Sequence, residues 1–206
     1  MLTHFLAALG VLGLLTIVPG PDMAVVTRRA VAAGTPDALR TAGGIAAGLL
    51  VWGVLTVAGL AAALAASPVA YLVLKLLGAG YLVFLGAQAL WQNRRAVSPT
   101  ARTDPGAATG NPWRTGLVSN VLNPKIAVFY TGLLPTLAPA GMRPVRAMAL
   151  LVLLHIVLTL AWLSGYVLLL AKAGPVLEKP RVRRALGRIT GVVLIGFGVV
   201  VATAAG

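Results

Sequence analysis

Chemically capable side chains are scarce in this sequence, and those inside its apolar stretches gather at two places. Val18-Pro19-Gly20-Pro21-Asp22 ends on a carboxylate, and Asn120-Val121-Leu122-Asn123-Pro124-Lys125 ends on an ammonium. Each puts a helix-breaking proline, then a full charge, into a run otherwise greasy enough to span a bilayer. Proline removes a backbone donor and clashes with the preceding turn. A charge near the bilayer centre costs at least about 2.5–3.5 kcal/mol on insertion scales. In lipid such a break survives only where protein or a water-filled cavity covers it. The two motifs are therefore expected to face each other and build the working site. Pro19, Gly20, Pro21 and Pro124 break the helices. Asp22 and Lys125 supply the charges, which can pair or can each hold one pole of a zwitterion. Asn120 lies three residues before Asn123, on the same helical face, and adds amide contacts.

Local structure explains part of this pattern. Asn123-Pro124 reads as an N-cap followed by proline at the first helical position. Asp22, just after Pro21, suits the positive end of a new helix. Neither reading explains why two helices restart inside a membrane. Asp22 is six residues from Arg28, about 9 Å of helix. Lys125 is eleven from Arg114, about 16 Å. On that spacing the site sits between the midplane and the cytoplasmic face.

Composition fixes the setting. Of 206 residues, 59% are hydrophobic and only 10% charged. A soluble domain cannot hide that much apolar surface, since domains of about 150 residues keep about 30% of their unfolded-chain area exposed. The chain is an integral membrane protein. Cysteine is absent, which excludes thiol redox chemistry, disulfides and Cys-ligated metals. Two histidines and four acids leave a poor inventory for an intramembrane enzyme or a metal site. The same scarcity argues against a metal-ion exporter, because hard cations want several carboxylate oxygens. No cofactor is expected. A net charge of +13 would point to nucleic acid in a soluble protein. Here the basic residues lie between apolar runs, so they read as topology signals and contacts with anionic lipid. Residues 1–10 hold no Lys or Arg, so the first run is expected to stay as a transmembrane helix rather than act as a signal peptide.

Six runs have about the 20 residues needed to cross about 30 Å of hydrocarbon: 2–26, 42–66, 69–90, 113–138, 146–171 and 189–205. Arg28 and Arg29 close the first, and a turn-rich loop through Gly34, Pro36 and Asp37 leads to Arg40. The second run carries Gly44 and Gly48 at GxxxG spacing, which favours close helix packing and leaves a homodimer open. Lys75 in the third can snorkel to the interface. Residues 92–112 form a flexible cytoplasmic linker between a half at 1–91 and a half at 113–206, together one polytopic domain. The fourth run should finish near Leu134 to Leu137. His155 in the fifth reads more readily as hydrogen-bonded packing than as a proton relay. Lys and Arg number three, four and six in the first, third and fifth loops, against none and two in the second and fourth. The odd loops are therefore cytoplasmic and both termini outside.

Sliding the chain by 103 residues aligns 13–22 with 116–125, with Gly, Leu, Val and Pro identical at four of ten positions. Thr16 meets Ser119 and joins the candidate site; Asp22 meets Lys125. Each half then holds three helices, and an odd number sends the second half into the membrane from the opposite side. That is the inverted-repeat plan of secondary transporters. The expected fold is all-α, six transmembrane helices in two inverted three-helix repeats, with the first and fourth broken at proline motifs.

At these residues the chain resembles the LysE/RhtB family of bacterial amino-acid exporters. The likeness rests on Thr16-Ile17-Val18-Pro19-Gly20-Pro21-Asp22, Gly43-Gly44-Ile45-Ala46-Ala47-Gly48, the stretch from Leu74-Lys75 to Leu85-Gly86, and Asn120-Val121-Leu122-Asn123-Pro124-Lys125 with Trp113-Arg114-Thr115-Gly116 ahead of it. The resemblance implies location in the cytoplasmic (inner) membrane and export of amino acids or related small metabolites, driven by the proton gradient. It does not give the cargo. A non-transport assembly protein would tolerate changes at Pro21, Asp22 and Lys125; a transporter would not.

Overall fold

The computed structural model describes residues 2–66, 68–92, 110–138, 142–177 and 180–203. The segment read as a linker lies almost wholly outside them, as do the surroundings of the Lys75 side chain. The described secondary structure is helical throughout. Proline is the first residue of α2 (Pro21–Ala33), α4 (Pro68–Gln92), α5 (Pro112–Val121), α6 (Pro124–Val128), α7 (Pro144–Leu177) and α8 (Pro180–Thr203). The first position of a helix needs no amide hydrogen, and proline presets its backbone angle. The prolines that read as breakers are thus equally starters.

Both expected breaks are present. α1 (Leu2–Ile17) and α2 meet at a bend of 45°. Gly20 is the N-cap of α2, in extended conformation and without a capping side chain. α5 stops at Val121, and α6 restarts at Pro124 behind Asn123, whose Oδ1 accepts the Lys125 amide at 3.0 Å. α6 passes into a π-helical turn (Phe129–Leu133) and a 3-10 turn (Leu134–Leu137), so this segment ends where expected.

Two expected loops are mostly helix. α2 runs past Arg28 and Arg29 to Ala33, and α3 (Thr35–Ala66) begins two residues later. Only Gly34 turns the chain, at φ +84°, a left-handed conformation that glycine adopts without strain. The basic stretch expected as a loop at 172–188 is largely the end of α7 and the start of α8. Among the described residues two helices are long and apolar enough to cross a membrane, Thr35–Gly59 and Val145–Lys172, and the bent pair Ala8–Ile17 plus Pro21–Ala33 makes a third.

Glycine sets how closely the helices approach. A Cβ on Gly44 would collide with the Trp113 carbonyl oxygen, and one on Gly116 with that of Thr41. α3 and α5 therefore touch backbone to backbone. Gly48 lies against the Asn120 side chain, where a Cβ would sit 2.6 Å from Oδ1. The GxxxG pair is thus consumed inside the chain, against α5. On the far side α4 and α8 pack through Gly86, Gly191 and Gly198.

Two apolar cores result. The larger joins Leu12, Leu15, Leu49, Phe129, Leu133 and Leu151 with their neighbours. The smaller joins Met23, Val26, Ala38, Ala42, Ile45, Leu163 and Val167.

Candidate functional site

The first turns of α2 and α6 bring the candidate residues together. Asp22 is the second residue of α2 and Lys125 the second of α6. Asp22 reaches the end of α5. Its Oδ1 accepts Ser119 Oγ at 3.1 Å, and its Oδ2 accepts Asn120 Nδ2 at 2.8 Å and Asn123 Nδ2 at 2.9 Å. Lys125 reaches the end of α1, where Nζ donates to the carbonyls of Leu15 at 3.2 Å and Val18 at 3.0 Å. Those carbonyls are the ones the break leaves without an intrahelical amide, and they carry the negative end of the α1 dipole. Each charge therefore binds the broken helix of the other half. The two make no ion pair with each other, so of the two expected alternatives, pairing or holding separate poles, direct pairing is not the one seen in this conformation.

α3 and its neighbours satisfy further backbone groups around the second break. Trp52 Nε1 donates to the Asn120 carbonyl at 3.4 Å, and Thr56 Oγ1 to that of Tyr130 at 3.3 Å. These bonds let an interrupted helix persist away from water.

Thr16, Asp22, Asn120, Lys125, His155 and Thr159 line one cavity of about 30 Å³. Leu15, Leu49 and Ile126 from the larger core and Leu163 from the smaller complete its lining. That is room for a water or two, whereas a ring the size of benzene needs about 150 Å³. No amino acid fits it in this conformation. Asn123 is buried beside the cavity through its bond to Asp22. The Thr16 hydroxyl donates back to the Leu12 carbonyl at 2.7 Å, so toward the cavity it offers only lone pairs.

His155 makes the packing contacts expected of it. Its Nδ1 lies 3.1 Å from the Tyr130 hydroxyl, and its ring stacks on Tyr130 and meets Phe129 edge-on. It also faces the cavity, which its sequence context did not reveal. Thr159 was missed as well, although it stands four residues, one turn, beyond His155 on the same face of α7. Ser119 had a signal: it is four residues before Asn123 and aligns with Thr16. Arg29, read as a loop charge, is buried at 2% exposure, and its Nη2 donates to Thr115 Oγ1 at 2.8 Å.

Broken helices, opposite charges at their two restarts and a small polar cavity between apolar cores define a helical membrane protein built around a polar site. The chain matches the LysE type translocator family over residues 5–205 and belongs to it. It is a multi-pass membrane translocator, not an enzyme. An uncharacterized membrane protein of Pseudomonas aeruginosa is 31% identical over 203 residues, covering 94% of this chain and 93% of its own length. Another from Bacillus subtilis is 24% identical over 201 residues, covering 94% and 96%. The leucine efflux protein of Salmonella typhimurium is 29% identical over 116 residues, covering 56% of this chain and 54% of its own length. No solved structure matches.

Proposed function

We propose that this protein exports amino acids or closely related zwitterions across the cytoplasmic membrane by alternating access, with protons as the coupling ion. One observation carries the reading: Asp22 and Lys125 hold the same second position in two restarted helices and line one cavity. The partial likeness to a leucine efflux protein supports an amino acid as cargo.

The architecture we infer has six crossings: α1 with α2, α3, α4, α5 with α6 and the turns after it, α7, and α8. Three per half make the repeats inverted. In support, the equivalent helices pack against each other, α3 on α7 and α4 on α8, as elements related by a two-fold axis do. The odd loops face the cytoplasm, following the Lys/Arg asymmetry. Asp22 stands eleven residues before the end of α2 at Ala33, about 16 Å, which supports a site nearer the midplane than the spacing to Arg28 implies.

In the closed state Asp22 occupies three donors well suited to a carboxylate. A proton on Asp22, or a substrate ammonium beside it, weakens its hold on Ser119, Asn120 and Asn123. Those donors, with Lys125, then receive the substrate carboxylate. Proton and substrate compete at Asp22, and export follows when they exchange on opposite strokes.

The test loads vesicles with a panel of labelled amino acids and imposes a pH gradient. Asp22→Asn should insert normally and lose pH-driven efflux. Undiminished efflux from that variant would overturn the proposal.

A further inference from the structure

Resting on that reading of the site, we propose that Arg29 and Thr115 form a clamp that closes the route to the cavity from the face carrying Arg28, Arg40 and Arg114. Arg29 is among the largest fully buried side chains, while Arg28 beside it is exposed. The Thr115 hydroxyl gives its own hydrogen to the Asn111 carbonyl at 3.0 Å, so it meets Arg29 only as an acceptor. Asn111 is the N-cap of α5, its Oδ1 taking the amides of Trp113 and Arg114. Arg29 is thereby tied to the very start of α5. Two residues before Arg29, Thr27 Oγ1 and the Tyr166 hydroxyl lie 2.9 Å apart, fastening α2 to α7 as well.

Asp22 and Arg29 are seven residues apart on α2, two turns or about 10 Å. Met23 and Val26 lie between them and pack with Ile45, Leu163 and Val167. Leu163 also lines the cavity. From this face the order is therefore exposed arginines, the clamp, a thin apolar plug, and the polar centre. The plug is the smaller of the two cores. α3 and α5 cannot separate easily, since their backbones touch at Gly44 and Gly116. The seam between α2 and α5 is held by polar contacts instead, at Asp22 and at Arg29.

The choice of residue fits a seal that must open. A guanidinium stays charged wherever it is put, and burial denies it water. A leucine or methionine would close the seam more firmly. An arginine held by hydrogen bonds can exchange them for water when the seam parts, so closed and open states are brought near balance.

The chain has no cysteine, so one introduced thiol is the sole reporter. Leu49→Cys and, as a second reporter, Thr159→Cys both face the cavity. Each is exposed to a charged, membrane-impermeant maleimide in right-side-out and in inside-out vesicles. Adding Thr115→Val should raise the labelling rate about tenfold from the Arg28 face and leave the opposite face unchanged, the tenfold being the loss of one hydrogen bond to a charged group. Thr115→Ser, which keeps the hydroxyl, should restore slow labelling. Arg29→Leu should slow labelling from the Arg28 face further. Unchanged labelling in Thr115→Val, or a rise from both faces, would overturn the clamp. The readout needs no substrate, so it can succeed where Asp22→Asn leaves efflux intact, and the two proposals fail separately.

Discussion

Lys125 lies directly over Gly20: a Cβ placed there would stand 3.1 Å from Nζ and 3.3 Å from Cε. The first break thus leaves out a side chain where the second break sends its charge. In Gly20→Ala the flexible lysine tail can move aside, so the fold should survive while the ammonium leaves Leu15 and Val18. Losing a hydrogen bond to a charged group is worth about 1.5–3 kcal/mol. Efflux should fall about tenfold or more, with the thermal midpoint in detergent nearly unchanged. A large fall in the midpoint would mean that Gly20 matters for folding instead.

Lys125→Met keeps the length of the side chain and removes its charge. Replacing a buried ion by an apolar group of similar volume is often neutral or stabilising, but here the Leu15 and Val18 carbonyls lose their donor. Transport should be abolished while the inserted amount stays within about twofold of the parent. Retained transport in Lys125→Met would reduce Lys125 to a cap for α1.

Gly116→Ala should damage the fold itself, because its Cβ would meet the backbone of α3 at the Thr41 carbonyl. Overpacking costs about 1–3 kcal/mol, and rigid backbone contacts lie at the upper end. Gly13→Ala meets nothing within 4 Å and should gain up to about 1 kcal/mol from helix propensity. Thermal unfolding of the two variants side by side checks the contrast.

Tyr130→Phe removes the partner of His155 Nδ1 in a buried setting. A buried polar atom left alone costs about 1–3 kcal/mol, so the variant should be less stable by that amount. Because His155 faces the cavity, its substrate affinity should shift as well. An unaltered concentration dependence of efflux would confine His155 to packing.

The breaks were legible because proline and charge are conspicuous in apolar sequence. Their partners were half legible: Asn120 and Asn123 stand on one helical face, and both bind Asp22. What misled was Arg28-Arg29 followed by Gly34-Thr35-Pro36-Asp37. Gly and Pro there look like a loop, yet they are also the residues that end one helix and start the next. Counting Arg29 as a loop charge followed from that, and only packing against α5 shows it buried. The meeting of Gly44 with Trp113 and of Gly116 with Thr41 had no sequence signal, since a small residue does not say which helix it admits. Thr159 and His155 likewise gave no hint of the cavity, because nothing in α7 itself fixes which turn faces the breaks.

Asn123 serves two masters with the two ends of one amide: its oxygen starts α6 and its nitrogen holds Asp22. Aspartate would start the helix equally well but would set a second negative charge against Asp22. Serine would start it too, but its one short hydroxyl cannot reach both the Lys125 backbone amide and the Asp22 carboxylate as the two ends of an amide do. Glutamine keeps the amide and moves both ends by a methylene. No single replacement preserves both duties, so a lineage carrying this site has no neutral way out of this asparagine, and any viable change here should arrive together with one at position 22.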